Sequence, residues 1–207
     1  MTDAATAPTA ADPDPTAADP AGADPAAADP AGVDPAGDSA NALPSARLAA
    51  AGLTLPPVPA PLAGYVPAVR VGDMVFTAGQ LPMVDGHLIS PGAVGKPPTA
   101  KIGPAEGAAA ARVAALNAVA AAASVAGGLD ELSAVVKVTV FVNSVGEFTA
   151  HPTVADGAST LIAEVFGAAG RHARSAVGVA SLPLDAPVEV ELVATVRPAH
   201  EPRFRQL

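Results

Sequence analysis

Proline sets the first limit on what this chain can fold into. Between residues 12 and 38, Asp-Pro steps recur at Asp14, Asp19, Asp24, Asp29 and Asp34, separated by Ala and Gly. Proline at every fifth position removes a backbone donor and pushes the residue before it out of the α region, so no helix propagates there. The segment has no aromatic residue and a single Val, too little apolar surface to offset the entropy of ordering. Its period is also far shorter than that of a solenoid repeat. Residues 1–42 are therefore expected to be a disordered tail, and any fold must come from the rest.

The tail also carries most of the charge. The 207 residues hold 20 acidic and 11 basic side chains, for a net charge of −9. Eight of the acidic ones, all Asp, lie in the first 40 positions without a Lys or Arg, which leaves −1 for the remainder. A near-neutral folded part with one Tyr, five Phe and no Trp offers neither a positive field nor stacking platforms, so nucleic acid is not an expected partner. Zero cysteines exclude disulfides, thiolate metal sites and thiol nucleophiles. Met1-Thr2-Asp3-Ala4 has neither the basic nor the apolar region of a secretory signal. The apolar stretch from Val113 to Leu129 is mostly Ala, contains Asn117 and follows Glu106 and Arg112, so it reads as a soluble helix and not a membrane span. The expected location is the cytoplasm.

Residues 43–64 read as a short helix and a proline-rich lead-in. Ser45 is the expected N-cap, the helix runs through Leu48, and Gly52 stops it. Pro56, Pro57, Pro59 and Pro61 then enforce an extended path to Gly64-Tyr65. Met74 to Thr77 reads as a strand, Asp85-Gly86 as a hairpin turn, and residues 90–101 as a Gly/Pro loop. Pro104 to Ala126 is the longest expected helix, built on Ala with proline in its first turn. A β-branched run from Val135 to Val142 reads as a buried strand, and Pro152 to Phe166 as a second long helix ended by Gly167 and Gly170. Two strands follow, Ser175 to Leu182 and Val188 to Val196; in the last, Val188, Val190, Leu192, Ala194 and Val196 alternate with Glu189, Glu191 and Thr195. The order β–β–α–β–α–β–β predicts an α+β domain over 65–198, with helices on one face of a mixed sheet, and a C-terminal tail over 199–207.

Few residues suggest chemistry. His87, His151, His172 and His200 are scattered without metal-ligand spacing, so no metal site is expected. No phosphate loop and no nucleophile elbow occurs, and no cofactor is expected. The cluster Arg171-His172-Ala173-Arg174-Ser175 stands at a strand entry; it suits either an anion site, since Arg offers a planar fork to a carboxylate, or a solvated loop tip. Glu189 and Glu191 share one strand face, which is either a solvated outer face or part of a site.

Three ordered segments carry a resemblance. Gly64-Tyr65-Val66 leading to Thr77-Ala78-Gly79-Gln80-Leu81-Pro82, the strand Val136-Lys137-Val138-Thr139-Val140-Phe141-Val142, and Arg174-Ser175 through Leu182-Pro183 to Val188-Glu189-Val190-Glu191 resemble the RidA/YjgF/UK114 family over residues 60–197. The resemblance implies a chorismate-mutase-like fold and a homotrimer with ligand sites between subunits. It implies hydrolytic deamination of 2-imino (enamine) acids to 2-oxo acids and ammonia, without metal or cofactor. Carried over by position, Arg174 holds the substrate carboxylate, Glu189 orients or deprotonates the attacking water, Tyr65 caps the pocket, the Gly79 backbone lines it, and His172 borders it.

Three positions mark a divergent subgroup. Ala78 replaces the family's Ser, Asp156-Gly157-Ala158-Ser159 lies where many members carry a helical Asn, and His172 stands where Pro commonly precedes Ala-Arg. The alternative to turnover is a trimer that binds small carboxylates without converting them. A ribonuclease or translation-inhibitor activity is the third reading, disfavoured by the charge. Spacing adds one constraint. Were the last two strands a direct hairpin, Arg174 would lie opposite residue 195, roughly 20 Å from Glu189. A shared pocket therefore needs a different strand order or a Glu189 from the neighbouring subunit.

Overall fold

The computed structural model describes residues 42–58, 64–96 and 98–197. The tail expected over 1–42 (save its last residue), Pro59, Pro61 and the tail 199–207 lie outside the described residues.

The first helix, α1 (Pro44–Ala50), corrects one expectation. Pro44 occupies its first turn, where a missing N–H costs nothing, and Leu43 is the N-cap. Ser45 therefore lies inside the helix and caps nothing. Its N–H and Oγ–H instead donate to the Asp130 carboxylate at 2.8 and 2.7 Å. Gly52 does stop the helix, at φ +70°, and the N–H of Leu53 closes back on the Leu48 carbonyl.

Seven strands follow among the described residues. β1 (Ala68–Val71) and β2 (Met74–Thr77) are joined by a tight turn at Gly72; β1 is four residues long, too short to show a period in the sequence. β3 (Met83–Val84) and β4 (His87–Leu88) form the hairpin over Asp85-Gly86, whose φ values of 50° and 79° are those a tight hairpin turn requires. α2 (Pro104–Ala126) has the expected bounds and ends at left-handed Gly127. β5 (Leu132–Asn143) is longer than its β-branched centre, and α3 (His151–Phe166) starts one residue before Pro152. β6 (Ala173–Val179) stops short of Leu182, ahead of the turn in which Leu184 and Asp185 both take left-handed φ. β7 (Val188–Val196) matches its alternating pattern.

The main sheet has the order β1-β2-β7-β5-β6. All neighbours are antiparallel except β5 and β6, which are parallel, so the sheet is mixed as expected. β5 separates β6 from β7; the last two strands are not a hairpin. α2 and α3 cover one face. Val138, Val140, Val142, Val190, Leu192 and Ala194 of the sheet are buried in one cluster with Ala111, Ala115 and Ala118 of α2 and Leu161, Ile162 and Val165 of α3. By length and hydropathy α2 is long and apolar enough to cross a bilayer, yet 12 of its 23 residues are buried within this domain. Small residues let the two helices approach: a Cβ at Gly157 of α3 would overlap the backbone carbonyl of Ala108 in α2.

Candidate functional site

The alternation of β7 decides which side chains leave the core. Val188, Val190, Leu192, Ala194 and Val196 are buried toward the helices, which turns Glu189, Glu191, Val193 and Thr195 onto the uncovered face. Register places Phe141 beside Glu189, Thr139 beside Glu191 and Lys137 beside Val193 on that same face. At the other flank of β7, Phe76 pairs with Val193 and Gln80 with Val190, four steps against three. The extra residue is a bulge. Within it the Thr77 hydroxyl accepts the Leu192 N–H at 3.0 Å, and Gln80 exchanges both backbone hydrogen bonds with Val190.

The bulge sets Gly79 directly over Glu189. A Cβ at position 79 would overlap Glu189 Oε1 and come within 2.8 Å of Cγ, so only glycine leaves room for this carboxylate. Burial pushes the Glu189 carboxyl above the ordinary glutamate range, and the like charge of Glu191 adds to the rise. A half-buried carboxyl with a raised pKa is a stronger base than a solvated one.

Two shallow depressions lie on the open face and share Phe76 and Thr77. One, of ≈ 110 Å³, is lined also by Lys137, Thr139 and Glu191. The other, of ≈ 360 Å³, is lined also by Tyr65, Val66, Val69 and Ala78. Tyr65 is 64% exposed and stands at the rim of this second depression.

Arg174 and His172 sit elsewhere. Arg174 pairs with Val138, whose own partner on β7 is Leu192, so Arg174 points to the helix-covered face. Its Nη1 donates to Asp156 Oδ1 at 2.7 Å and to Ser159 Oγ at 3.0 Å, both on α3. Both ring nitrogens of His172 have partners: Nδ1–H donates to the Gly170 carbonyl at 2.6 Å, and Nε2 lies 3.0 Å from Ser159 Oγ. Ser175 turns the other way and accepts from Lys137 Nζ at 2.7 Å on the open face.

Gly79, Glu189 and Tyr65 thus belong to the open face, and Arg174 with His172 to the covered one. Arg174 is two strands across and three residues along from Glu189, about 14 Å at ordinary sheet spacings. The strand order differs from a hairpin, but one subunit still keeps the two groups apart. The partners of Arg174, Asp156 and Ser159, were not readable as a site, because the contacts span 15 to 18 residues between a helix and a strand. Among the described residues no group of three or more His, Asp or Glu side chains is placed to hold a metal ion.

A mixed sheet covered on one face by two helices is a chorismate-mutase-like α+β fold. The chain belongs to the YjgF/chorismate-mutase-like family: residues 45–196 match the family described as "YjgF/chorismate_mutase-like, putative endoribonuclease". Protein TCP17 of Trypanosoma cruzi is 45% identical over 148 residues, covering 71% of this chain and 90% of that protein. Among solved structures, one from Shewanella oneidensis, described as a "putative endoribonuclease", shares 37% identity at a TM-score of 0.70, over 75% of this chain and all of that one. Atu1372 from Agrobacterium tumefaciens, described as of unknown function, shares 39% identity at a TM-score of 0.66, over 74% of this chain and 93% of that one.

Proposed function

We propose that the protein hydrolyses 2-imino acids, or their enamine tautomers, to 2-oxo acids and ammonia at a site formed between subunits of a homotrimer. The observation that carries this reading is the Glu189 carboxyl, half-buried under Gly79 with its pKa raised. A protonated imine carbon is already electrophilic, so the protein has only to fix the substrate and activate water. Water attacks the imine carbon, the C–O bond forms, the C=N pair moves to nitrogen, and Glu189 accepts the water proton. The same carboxyl returns that proton to nitrogen, and as the C–N bond breaks an oxygen lone pair forms the C=O bond, the hydroxyl proton passing to the departing ammonia. Arg174 binds the substrate carboxylate, since a guanidinium fixes orientation as well as charge. Tyr65 closes the second depression.

The same geometry supports the proposed assembly. Arg174 and Glu189 face opposite ways within one subunit, so a pocket that uses both draws them from two subunits. The open face carries Val69 and Phe76 on β1 and β2 and Val177 on β6, exposed by 46, 42 and 44%, apolar side chains that packing against another copy would bury. Binding of a small carboxylate without turnover is the second reading, favoured by Ala78, which brings no hydroxyl to the wall of the larger depression.

The test is an assay in which imino acids are generated in situ from several amino acids and the trapped imine is followed. Wild-type protein should speed the loss of imine. Arg174→Lys should lower that rate about 10²-fold or more, because Lys cannot make a paired contact with a carboxylate. An unchanged rate with Arg174→Lys would remove Arg174 from the site. No acceleration by wild type, with the same imino acids bound, would leave the second reading.

A further inference from the structure

Arg174 is not simply a charge at a strand entry; one of its nitrogens is fully engaged before any ligand arrives. Asp156 and Ser159 lie one helical turn apart on α3 and both take a hydrogen bond from Nη1. Among the described residues no partner is recorded for Nε or Nη2, and the Arg174 side chain is one-quarter exposed. That leaves one edge of the guanidinium, Nε–H with Nη2–H, as a two-pronged donor.

The direction of the Ser159 hydroxyl decides whether this anchoring works. A serine oxygen can accept from Arg174 only with a lone pair, so its proton has to point elsewhere. His172 supplies that direction. A carbonyl only accepts, so the 2.6 Å contact with Gly170 places a proton on Nδ1. In the neutral ring Nε2 is then the acceptor, and it takes the Ser159 proton at 3.0 Å. The chain of bonds runs from Arg174 to Ser159, from Ser159 to His172 and from His172 to the Gly170 carbonyl. Every member is satisfied, and with the ring neutral each bond has one sense.

We propose that Ser159, oriented by His172, is a positioning residue that locks the Arg174 guanidinium so that its Nε–Nη2 edge is presented to a carboxylate. The use of that edge by a substrate rests on the function proposed above; the lock itself does not. Asp156 supplies charge but is an exposed, single-point partner, and a guanidinium held at one point by one carboxylate still turns about its Nε–Cζ bond. Ser159 adds the second point.

Nitrogen NMR of the full-length protein reads the lock directly, since rotation about Nε–Cζ exchanges Nη1 and Nη2 of Arg174. Wild type should show slow exchange. Ser159→Ala should speed it about tenfold, the value of one hydrogen bond to a charged group. Ser159→Thr keeps the hydroxyl and should restore slow exchange, and His172→Leu should speed it by releasing the hydroxyl rotor. Equal exchange rates in wild type, Ser159→Ala and His172→Leu would overturn the proposal whatever the activity. In the imine assay Ser159→Ala should raise KM about tenfold and leave kcat within about twofold, as loss of uniform binding does. Faster exchange in Ser159→Ala beside full activity of Arg174→Lys would uphold the lock and reject the substrate role of Arg174.

Discussion

Gly79→Ala separates the site from the fold, because the same change at Gly157 meets a different obstacle. At position 79 the added methyl would overlap Glu189 Oε1 and lie 2.5 Å from Cδ and 2.8 Å from Cγ. All three atoms belong to a side chain that can swing away across an open sheet face. The cost in stability should be about 1 kcal/mol, at the low end for overpacking, or about 3 °C in Tm for a domain of this size. The carboxylate, however, would leave its place by an ångström or more, and a displacement of that size costs roughly 10²-fold in a positioned reaction. At position 157 the methyl would overlap the Ala108 carbonyl and lie 2.7 Å from its carbon, and that is helix backbone. Gly157→Ala should therefore lose about 3 kcal/mol, close to 10 °C, even though Ala is the better helix former by about 1 kcal/mol. Differential scanning calorimetry and the imine assay on both variants give the comparison. A Gly79→Ala protein with wild-type turnover and pKa behaviour would refute the view that Glu189 acts from the place seen here.

Glu189 makes stability depend on pH with a known sign. Its folded-state pKa is raised, so its stabilising contribution is present below the usual glutamate range and is lost as pH rises through the folded-state value. Glu189→Gln should thus melt higher than wild type at pH 8, with the gap closing below pH 4, while turnover falls; thermal melts across that range check it. In wild type the rate should climb with pH through an apparent pKa above that of a free glutamate, and the limb should vanish in Glu189→Gln. Val177→Asp puts a charge on the open face at β6 and should convert the proposed trimer to monomers at micromolar concentration without loss of secondary structure; sedimentation with circular dichroism reads both.

How much was legible beforehand follows the range of each interaction. α2 and β7 kept their expected bounds because their signals are local: Pro104 and Gly127 punctuate one, and strict alternation marks the other. β1 leaves no local signal, because four residues hold two periods at most. At Ser45 the Ser and Pro preferences compete for the same turn, and Pro44 takes the first position. The family pattern singles out Glu189 and Gly79 as candidates, yet that they lie against each other depends on a bulge between β2 and β7, more than 100 residues apart in sequence. The Arg174 network was invisible for the same reason. No local pattern tells that a serine in the middle of α3 meets an imidazole beyond the helix end.

The central claim is that Arg174 of one subunit and Glu189 of the next share a reacting substrate, and subunit mixing tests it most directly. Arg174→Lys and Glu189→Gln proteins, each nearly inactive in the imine assay, are unfolded together at equal concentration and refolded into mixed trimers. If each site takes one residue from each of two neighbours around a threefold axis, about one quarter of the sites regain both native residues, and about one quarter of wild-type turnover should return. Mixed trimers that stay as inactive as their parents would contradict a site shared between subunits.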